Sequence, residues 1–323
     1  MEFIANSAAE SVITDALAYE AVSRALIAAA DGSVDMPPVV VGGGPRNGES
    51  ISVKCGSSAV ANIVGLKVGG YWPRNAETGT PRHSTSIILI DPDSGRFACM
   101  VRGERLNGFR TAASDAVATD ALARRDAATL AVFGSGHQAE FEVRAICRIR
   151  RIQRILIAAR NASTANLLRT RLERCARSVE LADPRSACEQ ADILATVTPS
   201  RAPLFEASWI RPGTHISAMG ADRRGKRELP LELLTRSRLF ADYRAQSLEI
   251  GEFQHLRDLF HAGAVAIENI GDVLSGKAAG RQSPEQLTVY DSSGLAVQDL
   301  YVAAEVVRRA REAGLIQQFQ ESL

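Results

Sequence analysis

Apolar positions recur at helical spacing from Glu10 to Ala30, and Asp31-Gly32-Ser33 followed by Pro37-Pro38 predicts the stop of that helix. Gly42-Gly43-Gly44-Pro45 then reads as a turn. Three strand-like runs follow: Ser52-Val53-Lys54, Ile63 to Gly69 and Thr85 to Ile90. The last runs into Asp91-Pro-Asp-Ser-Gly95, a turn sequence, and Phe97 to Val101 answers it as a hairpin partner. Pro, Gly and polar residues concentrate between Tyr71 and His83, a connection. This first region predicts a mixed α+β unit.

The rhythm then changes. Thr111 to Arg125 is alanine-rich with helical spacing, and the junction between two regions is placed there. Strands are expected at Thr129 to Phe133, Arg154 to Ala159, Ile193 to Thr198, Thr214 to Met219, Arg238 to Asp242 and Leu287 to Asp291, mostly separated by helical or turn segments. Such alternation predicts an α/β fold with a doubly wound, largely parallel sheet. A final amphipathic helix, Ala296 to Ala313, follows the last strand and is expected to return to the first region.

Composition narrows the function. With 323 residues, 46% apolar and 23% charged, the chain buries large cores and suits an enzyme of about two domains. A net charge of +1 offers no field for nucleic acid or an anionic membrane. Met1-Glu-Phe-Ile-Ala-Asn6 opens without a basic stretch and an apolar run, and no segment reaches the roughly 18 apolar residues of a spanning helix. A soluble, cytoplasmic protein is expected. The five cysteines, Cys55, Cys99, Cys147, Cys175 and Cys188, show no metal-ligand spacing; they read as reduced core thiols with nothing adjacent to hold a thiolate, and no metal site is expected. The basic run Arg148-Ile-Arg150-Arg151-Ile-Gln-Arg154 reads as a solvated face.

One local pattern carries specific chemistry. Leu130-Ala-Val-Phe133 is a short apolar run, Gly134-Ser135-Gly136 a tight turn, and His137-Gln138-Ala139 the start of an amphipathic helix. This is the context of a G-x-G-x-x-A dinucleotide fingerprint. Gly134 permits the turn, Gly136 removes the side chain that would block a pyrophosphate, and Ala139 lets the helix pack closely; the helix N-terminus offers N–H groups to phosphates. The second strand ends at Arg160-Asn161-Ala-Ser163-Thr164, without the acidic residue that grips the ribose hydroxyls of NAD. Arg160 with the neighbouring hydroxyls suits a 2′-phosphate and favours NADP over NAD; the plainer reading makes Ser163 a helix cap and Arg160 a solvated charge.

Several motifs in order give the chain a wider likeness. Gly65-Leu-Lys67-Val-Gly-Gly-Tyr71-Trp-Pro73-Arg-Asn75, Ser86 to Gly95, Arg110-Thr111-Ala-Ala113, Gly134 to Ala139, Ala218-Met-Gly220-Ala-Asp222-Arg-Arg-Gly225-Lys-Arg-Glu228-Leu229, and Asp291-Ser-Ser-Gly294 with Gln298-Asp299 resemble the ornithine cyclodeaminase and mu-crystallin family over nearly the whole chain. Gly70 to Asn75, His83-Ser84-Thr85 and Ile250-Gly251-Glu252-Phe253-Gln254-His255 are most similar to its iminosuccinate reductase branch, which makes aspartate from its imine. The resemblance implies a homodimer. It also implies a Rossmann domain, here residues 115–296, inserted in an α+β substrate and dimerisation domain built from 1–114 and 297–323. The implied chemistry is NAD(P)-linked interconversion of amino acids and imines, in some members with deamination or cyclisation. It extends the cofactor-binding set of Gly134, Ser135, Gly136, His137, Gln138, Arg160 and Asn161 to Thr111, Thr196, Val197, Thr198, Met219, Gly220 and Gly294.

The family also carries a carboxylate-binding arginine soon after the early proline; Pro37-Pro38-Val39-Val40-Val41 has none, so Lys54 takes over that grip or the substrate head group differs. Arg110, at the junction beside a helix start, is the expected bidentate anchor of an α-carboxylate. Lys67 lies in an apolar strand, where burial would lower its pKa and suit it to proton transfer or carboxylate binding. Asp222 follows a Rossmann strand, and the resemblance gives the matching aspartate of cyclodeaminases the handling of protons and water at the amino carbon. His83 is a further acid or side-chain ligand. Three functions are weighed: an imino-acid reductase, a deaminating cyclase using NAD catalytically, and a non-enzymatic small-ligand binder.

Overall fold

The computed structural model describes residues 1–319, the side chain of Ala76 excepted. By internal contact the chain divides into two units, Met1–Arg110 with the chain from Leu295 onward, and Thr111–Gly294. The junctions expected after residues 114 and 296 stand a few residues further along.

In the first unit the strands are β1 (Glu2–Ile4), β2 (Val34–Asp35), β3 (Val40–Gly43), β4 (Ser50–Ser58), β5 (Ile63–Tyr71), β6 (His83–Ile90) and β7 (Phe97–Arg102). Strands β4 to β7 form an antiparallel meander; β1 joins parallel to β7, Gln317–Gln318 pairs on β1, and β2 and β3 both pair with β4. Helices α1 (Asn6–Val12) and α2 (Asp15–Asp31) replace the single helix expected from Glu10. The break falls at Thr14, whose hydroxyl accepts the Leu17 N–H and caps α2, and Gly32 at φ 78° closes it. The C-terminal helix Ala296–Glu312 returns to this unit and packs along α2 and across β4, β5 and β6. Its buried face joins Ala18, Val22, Leu26, Ile87 and Val101 in the core.

Two expectations fail here for local reasons. The glycines after Val41 extend a strand, β3, before any turn; it is a solvent-facing edge, so no apolar alternation marks it. Helix α3 runs Glu104–Leu122, so Arg110 sits in the second turn of a helix that begins well before Thr111. Polar residues and Gly108 mask that first part, whereas the alanine-rich second half is plain in the pattern.

The second unit holds β8 (Thr129–Phe133), β9 (Arg154–Ala158), β10 (Ser178–Leu181), β11 (Ile193–Thr196), β12 (His215–Ala218), β13 (Arg238–Ala241), β14 (Ile267–Asn269) and β15 (Thr288–Asp291). All pair in parallel, in the order β10-β9-β8-β11-β12-β15-β13-β14. Residues alternate between two cores. Leu130, Val132, Ile155, Ile157 and Ile193 face α4 (His137–Ile149) and α5 (Ala162–Leu172) on one side, while Ala131, Phe133, Leu156, Leu194 and Ile216 pack on the other. This double burial is what makes the sheet doubly wound. The edge strands β10 and β14 carry no expected run because they are short and half-exposed. Arg150 departs from the solvated reading of the basic run: it is buried, ion-paired with Asp120, and donates to the carbonyls of Thr119, Asp120, Ala123 and Arg124 at the end of α3. Arg154 is paired with Glu180.

Candidate functional site

In the first unit, Lys54 and Lys67 stand directly opposite each other across β4 and β5, on the sheet face that the C-terminal helix covers. Two residues along, on the same face, Gly56 pairs with Gly65; a Cβ on Gly65 would lie 2.3 Å from the Ile88 carbonyl oxygen and 2.9 Å from Leu300. The glycine lets the helix lie close enough to bring Asp299 to Lys67. The lysine Nζ donates to Asp299 Oδ1 at 2.9 Å and to Asn107 Oδ1 at 2.6 Å. Arg110, one turn beyond Asn107 on α3, donates from Nε to Asp299 Oδ1 at 3.1 Å and from Nη2 to Asn107 Oδ1 at 2.8 Å.

Lys67 and Arg110 are both buried, as is Asp299, whose Oδ2 lacks a hydrogen-bond partner. Burial, followed by the Arg110 and Lys54 charges, brings the Lys67 pKa down to about 7, against the pull of Asp299. Burial alone would raise Asp299, but Arg110, Lys67 and Lys54 outweigh it and hold the carboxyl below its ordinary value. Lys67 and Arg110 thus share one carboxylate, within the field of Lys54. Such a cluster is suited to binding an anion.

The structure brings Lys54, Lys67 and Arg110 together, and adds Asn107 and Asp299, which sequence reasoning missed. An asparagine three residues before Arg110, and an acid on the apolar side of the last helix, were the available signals. His83 does not join them. It pairs with Tyr71 at the far end of β5, its ring 4.7 Å from that of Tyr71, on the same face but four residues along the strand from Lys67, about 13 Å. Val41 pairs with Ser52 in the row beside Lys54, so the cation on this part of the face is Lys54 itself.

In the second unit the β8–α4 turn has the geometry of a phosphate cradle. Gly134 has φ 119°, and a Cβ there would lie 2.7 Å from the Val197 carbonyl oxygen, so only glycine fits. At Gly136, the N-cap of α4, a Cβ would meet nothing within 4 Å: the space beyond is open for a ligand to approach backbone and helix N-terminus. Ala139 is fully buried against the core under α4. Ser135 Oγ hydrogen-bonds Thr164 Oγ1 at 2.6 Å, tying this turn to the start of α5. There the cap is Asn161, whose side chain accepts the Thr164 N–H, in place of the Ser163 weighed from sequence. Arg160 beside it is exposed. His137 packs its ring on Phe141, 4.9 Å away.

The strand-end residues are held by buried acids. Glu228 accepts from Thr196 Oγ1 and Gly220 N on one oxygen, and from Thr198 N and Oγ1 on the other, at 2.7–2.9 Å. It fixes the ends of β11 and β12, Met219 included, in one arrangement. Asp242 accepts from Gly294 N at 2.7 Å, holding the left-handed turn at φ 78° after β15. Asp222 is half-exposed and ion-paired with Lys226 at 2.6 Å, which also donates to the Gly220 carbonyl. Thr111 opens this unit on α3. Among the described residues no His, Cys, Asp and Glu are grouped to hold a metal ion, and no helix is long and apolar enough to cross a membrane.

Glycine cradle, buried cation grip and parallel sheet meet the comparisons with known proteins. The pattern of the ornithine cyclodeaminase/mu-crystallin family matches residues 3–314. The chain belongs to this family. It is 34% identical to the iminosuccinate reductase of Paracoccus denitrificans over 99% of this chain and 100% of that one. The crystal structure of that enzyme with NAD+ superposes at a TM-score of 0.92, covering 99% of both chains. The Δ1-pyrroline-2-carboxylate reductase of Thermococcus litoralis, solved with NADH and L-proline, is 26% identical at a TM-score of 0.91, covering 99% of this chain and 100% of that one. An archaeal alanine dehydrogenase dimer with bound NAD is 29% identical at the same TM-score and with the same shares covered. The relatives of this chain thus include two reductases and a dehydrogenase solved with NAD+, NADH or NAD, and an ornithine cyclodeaminase.

Proposed function

We propose that this protein is an NAD(P)H-dependent imino-acid reductase, running in reverse as an amino-acid dehydrogenase, on a small substrate such as iminosuccinate. The observation that carries this reading is the buried pairing of Lys67 and Arg110 with the one carboxylate of Asp299, with Lys54 opposite Lys67 on the neighbouring strand. An α-imino acid brings a permanent carboxylate to the reacting carbon, and that carboxylate completes the charge balance. Asp299 and Asn107 engage Nε and Nη2 of Arg110, which orients the guanidinium for a substrate carboxylate at its outer edge. Lys54 adds a second cation, replacing the early arginine that the family usually carries.

A bound reduced nicotinamide supplies the hydride. Gly134, Ser135, Gly136, His137 and Gln138 would hold its pyrophosphate, Thr196–Thr198, Met219, Gly220 and Gly294 the nicotinamide half, and Thr111 contributes from α3. Lys67, poised near neutrality, gives the proton taken up by the substrate nitrogen as the C–N double bond is reduced and accepts it in reverse. His83 on β6, opposite Tyr71, lies about 13 Å along the sheet from Lys67. The pair Asp222–Lys226 serves at the end of β12. Arg160 at the end of β9, with no acid there, favours NADPH.

The sheet face opposite the lysines supports a homodimer: Val40, Ile51 and Phe97 are exposed there, with Leu66, Val68, Ile88 and Met100 only half-buried. A cytoplasmic location, where NAD(P)H is maintained, follows from the same reading. The deciding experiment follows nicotinamide absorbance with a panel of 2-oxo acids plus ammonia or methylamine, and of preformed cyclic imines, with both reduced cofactors. Sustained oxidation on an imine establishes a reductase. Ammonia release from a diamino acid without net nicotinamide change identifies a deaminating cyclase instead, and binding without turnover a ligand carrier.

A further inference from the structure

The parallel sheet changes direction between β8 and β11: the chain runs outward through β9 and β10, then resumes on the other side of β8 with β11 and β12. A dinucleotide crosses a sheet at such a point, with its pyrophosphate on the first turn, so the half beyond Gly134–Gly136 falls over the ends of β11 and β12. Glu228 holds those ends. It is fully buried, and among the described residues it forms no ion pair. A Cβ on Gly220 would lie 2.6 Å from the Glu228 Cδ and 2.2 Å from the Thr198 carbonyl oxygen, so the carboxyl leaves no room for a side chain there. Of its four donors, Gly220 N and Thr198 N can only donate, and the Thr198 hydroxyl, which accepts the Ser200 N–H at 3.2 Å, has its own proton left for Glu228. A protonated carboxyl would set a hydrogen against these donors, so the site is built for the anion. Burial pushes the Glu228 carboxyl up, and the hydrogen bonds from Thr198, Thr196 and Gly220 oppose it. Glu252, which accepts the Glu228 and Leu229 N–H groups, is pushed up to about 8, chiefly by burial. The neighbouring cations are engaged elsewhere: Lys226 is paired with Asp222 at 2.6 Å, and half-buried Arg227 donates to the Leu229 carbonyl.

On the proposed placement of the nicotinamide half over these strand ends, we infer that Glu228 tunes the cofactor: its buried negative charge favours the cationic, oxidised nicotinamide over the neutral, reduced one. The two forms carry the same phosphates and the same adenosine, so whatever the glycine turn contributes is common to both. Only the ring charge differs. A carboxylate balanced by hydrogen-bond dipoles alone, in a desolvated setting, acts over several ångströms with little screening, and Glu228 needs no contact with the ring for this. The same field assists hydride departure, because the electron pair that leaves with the hydride uncovers the positive charge of the ring. Glu228 thereby biases the protein towards imine reduction.

The test measures by calorimetry the Kd of NAD+ and NADH, and in parallel of NADP+ and NADPH, for the full-length parent protein, Glu228→Gln and Glu228→Asp. Glu228→Gln should shift the ratio of oxidised to reduced affinity roughly tenfold towards the reduced form. Glu228→Asp keeps the charge and should hold the ratio near that of the parent, even where both affinities fall. A role confined to shaping the strand ends weakens both forms in equal proportion, and that result overturns the inference. A second arm needs only the parent protein and so survives variants that fail to fold. NAD+ should bind it roughly tenfold more tightly than benzamide adenine dinucleotide, whose ring is planar, of the same size and uncharged. Equal affinities here also overturn the inference. A parent protein that binds no nicotinamide dinucleotide overturns the nicotinamide reading itself, an outcome distinct from both.

Discussion

The two units prepare for their ligands in opposite ways. The first gathers charged side chains, Lys54 and Lys67 from adjacent strands, Arg110 from α3 and Asp299 from the last helix, and the ionisation of Lys67 and Asp299 is set by burial and by their charged neighbours. The second presents backbone: a glycine turn, a helix N-terminus and strand ends that Glu228 and Asp242 hold by hydrogen bonds. Side-chain charge discriminates one small anion from another but couples every member of the cluster. Backbone N–H groups bind any phosphate in the right place and tolerate change around them.

That contrast breaks most readily at Asp299. Asp299→Ala leaves buried cations uncompensated, so unfolding by denaturant should show a loss of about 3–5 kcal/mol. A small dicarboxylate should then raise the Tm of the variant more than that of the parent protein. A loss below about 1 kcal/mol would mean that the cations do not depend on this carboxylate. Next in size is Arg110→Lys, which keeps the charge and loses the planar fork. It should lower kcat/KM by about 2–4 kcal/mol while the Kd for NAD(P)H, measured by fluorescence titration, stays unchanged. Loss of cofactor affinity instead would erase the division of labour between the units.

The pH dependence is smaller and has a definite sign. Lys67 carries its proton below about 7 and loses it above. Imine reduction, which needs the proton, should be level below that pH and decline toward a tenth for each unit above it; amine oxidation should rise over the same range. Lys67→Arg should remove the inflection from both profiles, and an inflection that persists assigns the proton to another group. The smallest expected effect is at exposed Arg160. Arg160→Asp should weaken NADPH roughly three- to tenfold and spare NADH, read from the two KM values. Equal changes for both cofactors would leave Arg160 a solvated charge.

Legibility differed between the units for the same reason as their chemistry. The strand Thr129–Phe133, the Gly134–Gly136 turn and the opening of α4 were readable together, because a fingerprint of this kind is local: each residue type answers a backbone requirement within ten positions. Lys67 and Arg110 were legible as chemical types, and the burial of Lys67 followed from its apolar strand. The start of α3 was not, and Arg110 was placed at a helix start when it lies inside the helix. Asn107, Asp299 and Glu228 stood in view without a role, since nothing near them in sequence is their partner.

What the sequence determined by itself, then, is whatever local backbone geometry and hydrophobic period dictate: the parallel α/β unit, the glycine cradle and the amphipathic last helix that returns to the first unit. Only the tertiary structure decided ionisation and partnership. A lysine's pKa near 7 requires burial, a neighbouring guanidinium and a carboxylate from a helix more than two hundred residues away, brought close where Gly65 lets Leu300 approach the sheet. Desolvation and Coulomb energy depend on distances in space, and no periodicity along the chain encodes them.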